Sequence, residues 1–241
     1  MNLAVGTYFW SPDEGSKFAA PYTPADVERL RVGVHRNLTL PHEFIVITDQ
    51  PGVFDAHPMI RAVPLDRTTH VPGTCFVRLM TYHPDGPALF GAERLLQMDL
   101  DTLVVGNIDH IAAREENIVL WRNPALNPKF PGRSFYQGSL ALHRLGSIPG
   151  IWEMFRHADA GRRKAWKDDQ WYLSAILGNE MPYFDGARDG VYRIAREDTP
   201  GSGVWGDLPD NACIVTFPGS NGKADNPRVL AANPWIAEFL A

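Results

Sequence analysis

Apolar positions run in short blocks along the chain, and their spacing switches between two periods. Residues 3–8 and the run Phe44-Ile45-Val46-Ile47-Thr48 are continuous apolar or β-branched blocks of strand length, as in strands buried on both faces. Between them, Val27, Leu30 and Val34 recur at helical spacing after Thr23-Pro24, which reads as N-cap and first helical residue of a helix through Asn37. Residues 60–64, 118–121, 139–143, 191–195 and 213–217 are further predicted strands. Residues 78–82, 151–157 and 169–177 carry apolar residues at helical spacing, and Pro84-Asp85-Gly86-Pro87 stops the first of these. Strands alternating with helices predict an open α/β sheet with ligands at the carboxyl ends of its strands.

Composition narrows the class. The chain of 241 residues carries 23 Lys+Arg against 28 Asp+Glu, a net charge of −5, with no long basic run, which argues against whole-surface attraction to nucleic acid. Its 20 Pro and 21 Gly are spread along the chain rather than gathered in a linker, so one domain is expected. No run approaches the ~20 apolar residues of a spanning helix, and no basic segment precedes the first apolar stretch as it would in a signal peptide. Cys75 and Cys213 lie far apart, without Cys-x-x-Cys spacing. No zinc site or disulfide framework is expected, and a cytoplasmic location is.

The most informative block is Leu95-Leu96-Gln97-Met98-Asp99-Leu100-Asp101-Thr102-Leu103-Val104-Val105. Two carboxylates at i and i+2 interrupt an apolar strand in mid-chain. Burying a carboxylate is expensive unless it is paired or metal-bound, so both acids are expected at the strand's exit. Alternation would put them on one face, where they could share a divalent cation, and oxygen ligands suit Mg2+ or Mn2+. An Asp-x-Asp triplet is also short enough to arise by chance, and acids at strand ends often cap the next element.

Read further, Met98-Asp99-Leu100-Asp101-Thr102 followed by Val105-Gly106-Asn107-Ile108-Asp109 resembles the Asp-x-Asp segment of GT-A fold glycosyltransferases. It is most similar to family 8 and related bacterial and phage transferases. The resemblance runs over roughly residues 3–223. It implies an α/β, Rossmann-like nucleotide-diphospho-sugar transferase fold, with a mixed open sheet flanked by helices. It also implies a single domain over 1–241, with a nucleotide- and metal-binding half at 1–109 and a sugar and acceptor half at 110–241. The implied activity is hexosyl transfer from a nucleotide-diphosphate sugar, UDP by family habit, with retention of configuration.

The resemblance also assigns residues. Asp99 and Asp101 would hold Mn2+ (or Mg2+), which binds the donor diphosphate. Thr7 and Tyr8, at the end of the first strand, would meet base and ribose. Arg78, in Phe76-Val77-Arg78-Leu79, would lie near the donor. Gln137, in Tyr136-Gln137-Gly138-Ser139, stands where the family has Asn, facing the donor sugar. Asp169 and Gln170 look like the Asp-Gln pair that opens a helix beside the anomeric carbon. Gly219 and Lys223 fall in the closing segment that reaches the phosphates. There, Thr216 stands where the family has a metal-binding His, and Lys223 comes one residue late. The implied acceptor is a glycan, a lipid-linked saccharide or a modified nucleic acid.

Plainer readings stand beside these. Tyr8 would serve as a core-edge aromatic, Arg78 as a snorkelling surface arginine, Asp169 as a helix cap or first-turn acid, and Lys223 as a surface lysine. Gly161-Arg162-Arg163-Lys164-Ala165-Trp166-Lys167 reads first as a solvated loop, and otherwise as a contact for an anionic acceptor. Gly201-Ser202-Gly203-Val204-Trp205-Gly206 fits a dinucleotide motif, but no strand leads into it and Pro209 forbids the helix that should follow. Two rival functions remain: a non-catalytic nucleotide-sugar binder, motivated by the missing His, and an Asp-nucleophile phosphatase of haloacid-dehalogenase type. The phosphatase motif normally sits on the first strand, not at residue 99.

Overall fold

The computed structural model of the protein describes residues 2–11, 22–71, 74–123, 134–195, 203–217 and 223–240. Among these residues ten strands form two sheets. In chain order they are β1 (Leu3–Phe9), β2 (His42–Thr48), β3 (Arg61–Pro64), β4 (Arg94–Met98), β5 (Thr102–Val104), β6 (Ile118–Arg122), β7 (Tyr136–Arg144), β8 (Tyr183–Phe184), β9 (Val191–Arg193) and β10 (Ile214–Thr216). The main sheet has seven strands in the order β3-β2-β1-β4-β7-β6-β8, and the small one three in the order β5-β10-β9. This is the mixed α/β architecture expected from the alternation of strand and helix patterns.

The strand directions explain where a site can form. β3, β2, β1 and β4 are mutually parallel, whereas β7 runs antiparallel to both β4 and β6. Strand order reverses at β1, whose two neighbours both follow it in sequence. In an open α/β sheet such a switch point leaves a crevice beyond the carboxyl ends of the strands. Here the crevice is walled by the ends of β1 and β4 and by the beginning of β7.

Both faces of the sheet are covered, which is why β1 and the end of β2 are buried throughout. Leu3, Val5 and Phe9 pack with Val27, Leu30 and Val34 of the Pro24–Asn37 helix. Ala4 and Tyr8, on the opposite face, pack with Phe76, Leu79 and Trp152. The predicted helix start is realised as a capping box, with Thr23 and Asp26 exchanging hydrogen bonds and Pro24 first in the helix. A third cluster, around Leu103, Val215 and Ile236, holds the small sheet to the C-terminal segment.

The Asp-x-Asp block is divided as expected. β4 ends at Met98, Asp99 to Asp101 turn, and β5 resumes at Thr102, but in the other sheet. The two acids therefore sit on the link between sheets, at the carboxyl end of a central strand. Among the described residues no helix is long and apolar enough to cross a membrane.

Candidate active site

Arg78 is the hub. It lies in a 3-10 helix, Phe76–Tyr82, in which every residue is buried, so its charge has no route to solvent and must be met internally. Its Nε and Nη2 donate to Asp169 Oδ2 and Oδ1 at 2.9 and 2.8 Å. Nη1 donates to both oxygens of Asp99, at 2.8 and 2.7 Å, and more weakly to the Gly138 carbonyl at 3.4 Å. The Arg78 and Asp169 side chains are 5% and 3% exposed, and Asp99 is 26% exposed. Asp99 is thus the solvent-facing arm of a triad whose other members are sealed.

Local sequence builds each part. Asp168, not Asp169, caps the Asp169–Leu177 helix: its backbone is extended and its carboxylate accepts from the Trp171 N–H at 2.9 Å. Asp169, one residue on, turns into the protein and reaches Arg78. The guanidinium lies directly over Gly138, where an added Cβ would be 2.5 Å from Nη2 and 2.7 Å from Cζ. A glycine is required there because no side chain fits under the arginine. Burial lowers the arginine's proton affinity, but Asp169 and Asp99 outweigh it and hold the guanidinium charged. Burial also pushes the Asp169 carboxyl up to about 6, with Arg78 pulling the other way.

Thr7 and Tyr8, which the resemblance sets beside base and ribose, lie with their side chains inside the protein. They are 0% and 4% exposed, because alternate residues of a doubly covered strand both point into packed layers. The Tyr8 hydroxyl lies 2.8 Å from Thr81 Oγ1 and donates to the Arg78 carbonyl at 3.2 Å, while Thr81 donates to Gln97 Oε1 at 2.8 Å. Tyr8 therefore braces the Arg78 helix and presents no ring face to a base. The half-buried residues at the strand's end are Trp10 and Ser11. Ser11 donates its N–H to Asp49 at 3.0 Å and accepts from Gln50 Nε2 at 2.9 Å. Sequence reasoning passed over these residues, although they directly follow the first strand.

Asp101 faces a different cation. Lys223 Nζ lies 3.2 Å from Asp101 Oδ2, bonds the Tyr22 hydroxyl, and sits 4.2 Å from the centre of the Tyr22 ring. Lys223 is no solvated surface lysine, and Tyr22 is a member of the site that the sequence did not single out. Burial, and then the neighbouring charge of Asp99, raise the Asp101 carboxyl, while Lys223 opposes the shift.

Two carboxylates of like charge, 26% and 14% exposed, are a donor set suited to a hard divalent cation, so Asp99 and Asp101 fit that role by their chemistry. A third ligand from the Thr216 register is not available. Thr216 is buried opposite Thr102 in the β5–β10 ladder, and neither hydroxyl has a partner among the described residues. Among the described residues no group of three or more His, Cys, Asp or Glu is placed to hold a metal.

Of the remaining expected residues, Gln137 is half-buried and lines a small cavity with Arg78, Gln97 and Asp169. Gln170 is half-buried and its Oε1 accepts from Ser134 Oγ at 3.5 Å. Gly219 lies outside the described residues. In the basic cluster, Arg163 is spent on the chain itself: it donates to the Phe155 and Arg156 carbonyls and lies over the Phe155 ring.

No family profile matches the sequence, and no curated protein matches it. Solved structures do. The galactosyltransferase LgtC, in complex with donor and acceptor sugar analogs, superposes with a TM-score of 0.60 at 10% identity, over 98% of this chain and 95% of LgtC. The apo form of the glycosyltransferase GlyE from Streptococcus pneumoniae TIGR4 gives 0.63 at 12% identity, over all of this chain and 60% of GlyE. The apo bifunctional glycosyltransferase WbbM gives 0.58 at 11%, over 99% of this chain and 51% of WbbM. At such identities the likeness establishes the fold, which is the GT-A fold these enzymes share.

Proposed function

We propose that the protein is a glycosyltransferase that moves a hexosyl group from a nucleotide-diphosphate sugar, a UDP-sugar in this reading, to an acceptor, with retention of configuration. The observation that carries the reading is the Arg78–Asp99–Asp169 triad, set at the sheet's switch point in a fold shared with glycosyltransferases. LgtC, similar over nearly its whole length, binds donor and acceptor sugar analogs. The acceptor here belongs to one of three classes: glycan, lipid-linked saccharide or modified nucleic acid. We assign the protein to the cytoplasm, with residues 1–109 serving nucleotide and metal and residues 110–241 serving sugar and acceptor.

Each residue then has a task. Asp99 and Asp101 hold Mn2+ or Mg2+, which supplies Lewis acidity toward the leaving diphosphate. Arg78 fixes the Asp99 carboxylate by bonding both its oxygens, so that one face stays open. Lys223, released from Asp101, brings its ammonium to the phosphates, where negative charge grows as the glycosidic bond breaks. Gln137, Asp169 and Gln170 line the sugar side. Asp169 is held ionised by Arg78 at neutral pH, with its proton lost above about 6.

Thermal shift with a panel of nucleotide-diphosphate sugars, with and without Mn2+, tests this on the wild type and on Asp101→Ala, because a ligand that binds only the native state stabilises it by mass action. A Mn2+-dependent rise with one donor, lost in the variant, is expected. No rise with any donor would sink the reading. Thr216 in the His position favours one second reading, a donor-binding protein without turnover, which would show the shift but release no nucleoside diphosphate with any acceptor.

A further inference from the structure

Behind the triad lies a second polar feature that the proposed reaction does not use. Tyr82 and His143 are buried edge to face, with ring centroids 5.1 Å apart. Neither Tyr82 Oη nor His143 Nε2 has a hydrogen-bond partner among the described residues. A buried polar atom without a partner is costly, and two on adjoining rings ask for a common explanation.

Both residues line two small cavities. The inner one reaches Gln97, Gln137 and Asp169 at the candidate active site. The outer one is bordered by Asn117 and Ser147 as well as by Tyr82 and His143. Each has room for about one water molecule. Burial, and then the nearby Arg94 guanidinium, push the His143 imidazole down to about 3. The ring is neutral, and a neutral ring with one donor and one acceptor nitrogen suits water rather than an anion.

We propose that each cavity holds one ordered water, and that the two waters give Tyr82 Oη and His143 Nε2 their missing partners. One of the two waters lies in the cavity that Arg78 and Asp169 also line. The orphaned polar atoms and the shared cavities call for these waters whichever sugar is transferred.

Tyr82→Phe decides the matter by the sign of its effect. If the hydroxyl bonds a water, removing it breaks a buried network and lowers Tm, by about 2–4 °C for a chain of this length. If the cavities are dry, the substitution deletes an unsatisfied group and Tm stays level or rises, which would overturn the proposal. A high-resolution crystal structure of the wild-type protein gives an independent check should the variant fail to fold. Density for a water within hydrogen-bond reach of Tyr82 Oη in each cavity is expected, and empty cavities would refute it.

Discussion

Arg78 and Asp169 meet through two near-parallel N–H···O bonds, 2.9 and 2.8 Å long, across 91 residues of sequence. Such a buried pair adds little net stability, because both charges were better solvated in water. What the pair secures is direction. With two of its nitrogens committed to Asp169, Arg78 has one left, and that one holds Asp99 at the mouth of the crevice. The triad is therefore an orienting device whose upkeep is charged against the fold.

Removing one partner should expose that imbalance. Arg78→Met leaves Asp169 buried without its counter-charge and should cost about 3–5 kcal/mol in urea unfolding. The double variant Arg78→Met/Asp169→Leu should recover most of the loss while still failing to bind donor. If both variants are equally unstable, the pair is a stabilising element rather than an orienting one.

Gly138→Ala should act through Arg78 alone. The added Cβ would lie 2.5 Å from Nη2, so the guanidinium must shift, at about 1–3 kcal/mol, and donor binding should weaken with it. Gly150→Ala, where nothing lies within 4 Å, is the control and should leave both stability and donor binding unchanged. Equal behaviour of the two variants would remove the close approach from the account.

The pH dependence follows from Asp169. Its carboxyl is raised from 3.8 to about 6, so the folded chain holds that proton more tightly than the unfolded one. Its contribution to stability is complete below about pH 4 and is lost as pH rises through 6. Asp169→Asn mimics the protonated form at every pH. The unfolding free energy of wild type minus that of the variant should therefore fall between pH 4 and 6, by about 1–3 kcal/mol, and level off above 7. Turnover needs the ionised form and should drop on the acid side with a midpoint near 6. A stability difference that rises with pH would mean that Arg78, not burial, dominates.

Much of this was legible in the chain. The strand blocks at residues 44–48 and 118–121, the Thr23-Pro24 helix start and the Asp99–Asp101 link all appear as expected, because each is written in local periodicity or capping chemistry. The partners of the acids were not legible. Phe76–Tyr82 is buried on every side, so it has no polar stripe to show that Arg78 points inward. Asp168 and Asp169 are adjacent acids, and only tertiary packing makes one the cap and the other the ion-pair partner. The end of the first strand was half legible for a related reason: its apolar run shows that it is buried, but not that both layers close over Thr7 and Tyr8.

Metal removal separates Asp101 from Asp99. Asp101 bonds Lys223 at 3.2 Å and the Tyr22 hydroxyl rather than Arg78, so Asp101→Asn should leave the Arg78 triad and the fold intact. It should also abolish the Mn2+-dependent part of the donor-induced thermal shift. EDTA should do the same to the wild type and add nothing to the variant. A further loss on chelating the variant would place the cation elsewhere.

The glycosyltransferase reading is decided by incubating the protein with Mn2+ and each of a panel of nucleotide-diphosphate sugars, water standing in for the acceptor, and following nucleoside diphosphate and free sugar together. One donor is expected to be hydrolysed, with the two products appearing in equal amounts, and Asp169→Asn and Asp101→Ala are each expected to suppress this. Intact donors throughout, with or without candidate glycan, lipid-linked and nucleic-acid acceptors, would contradict it.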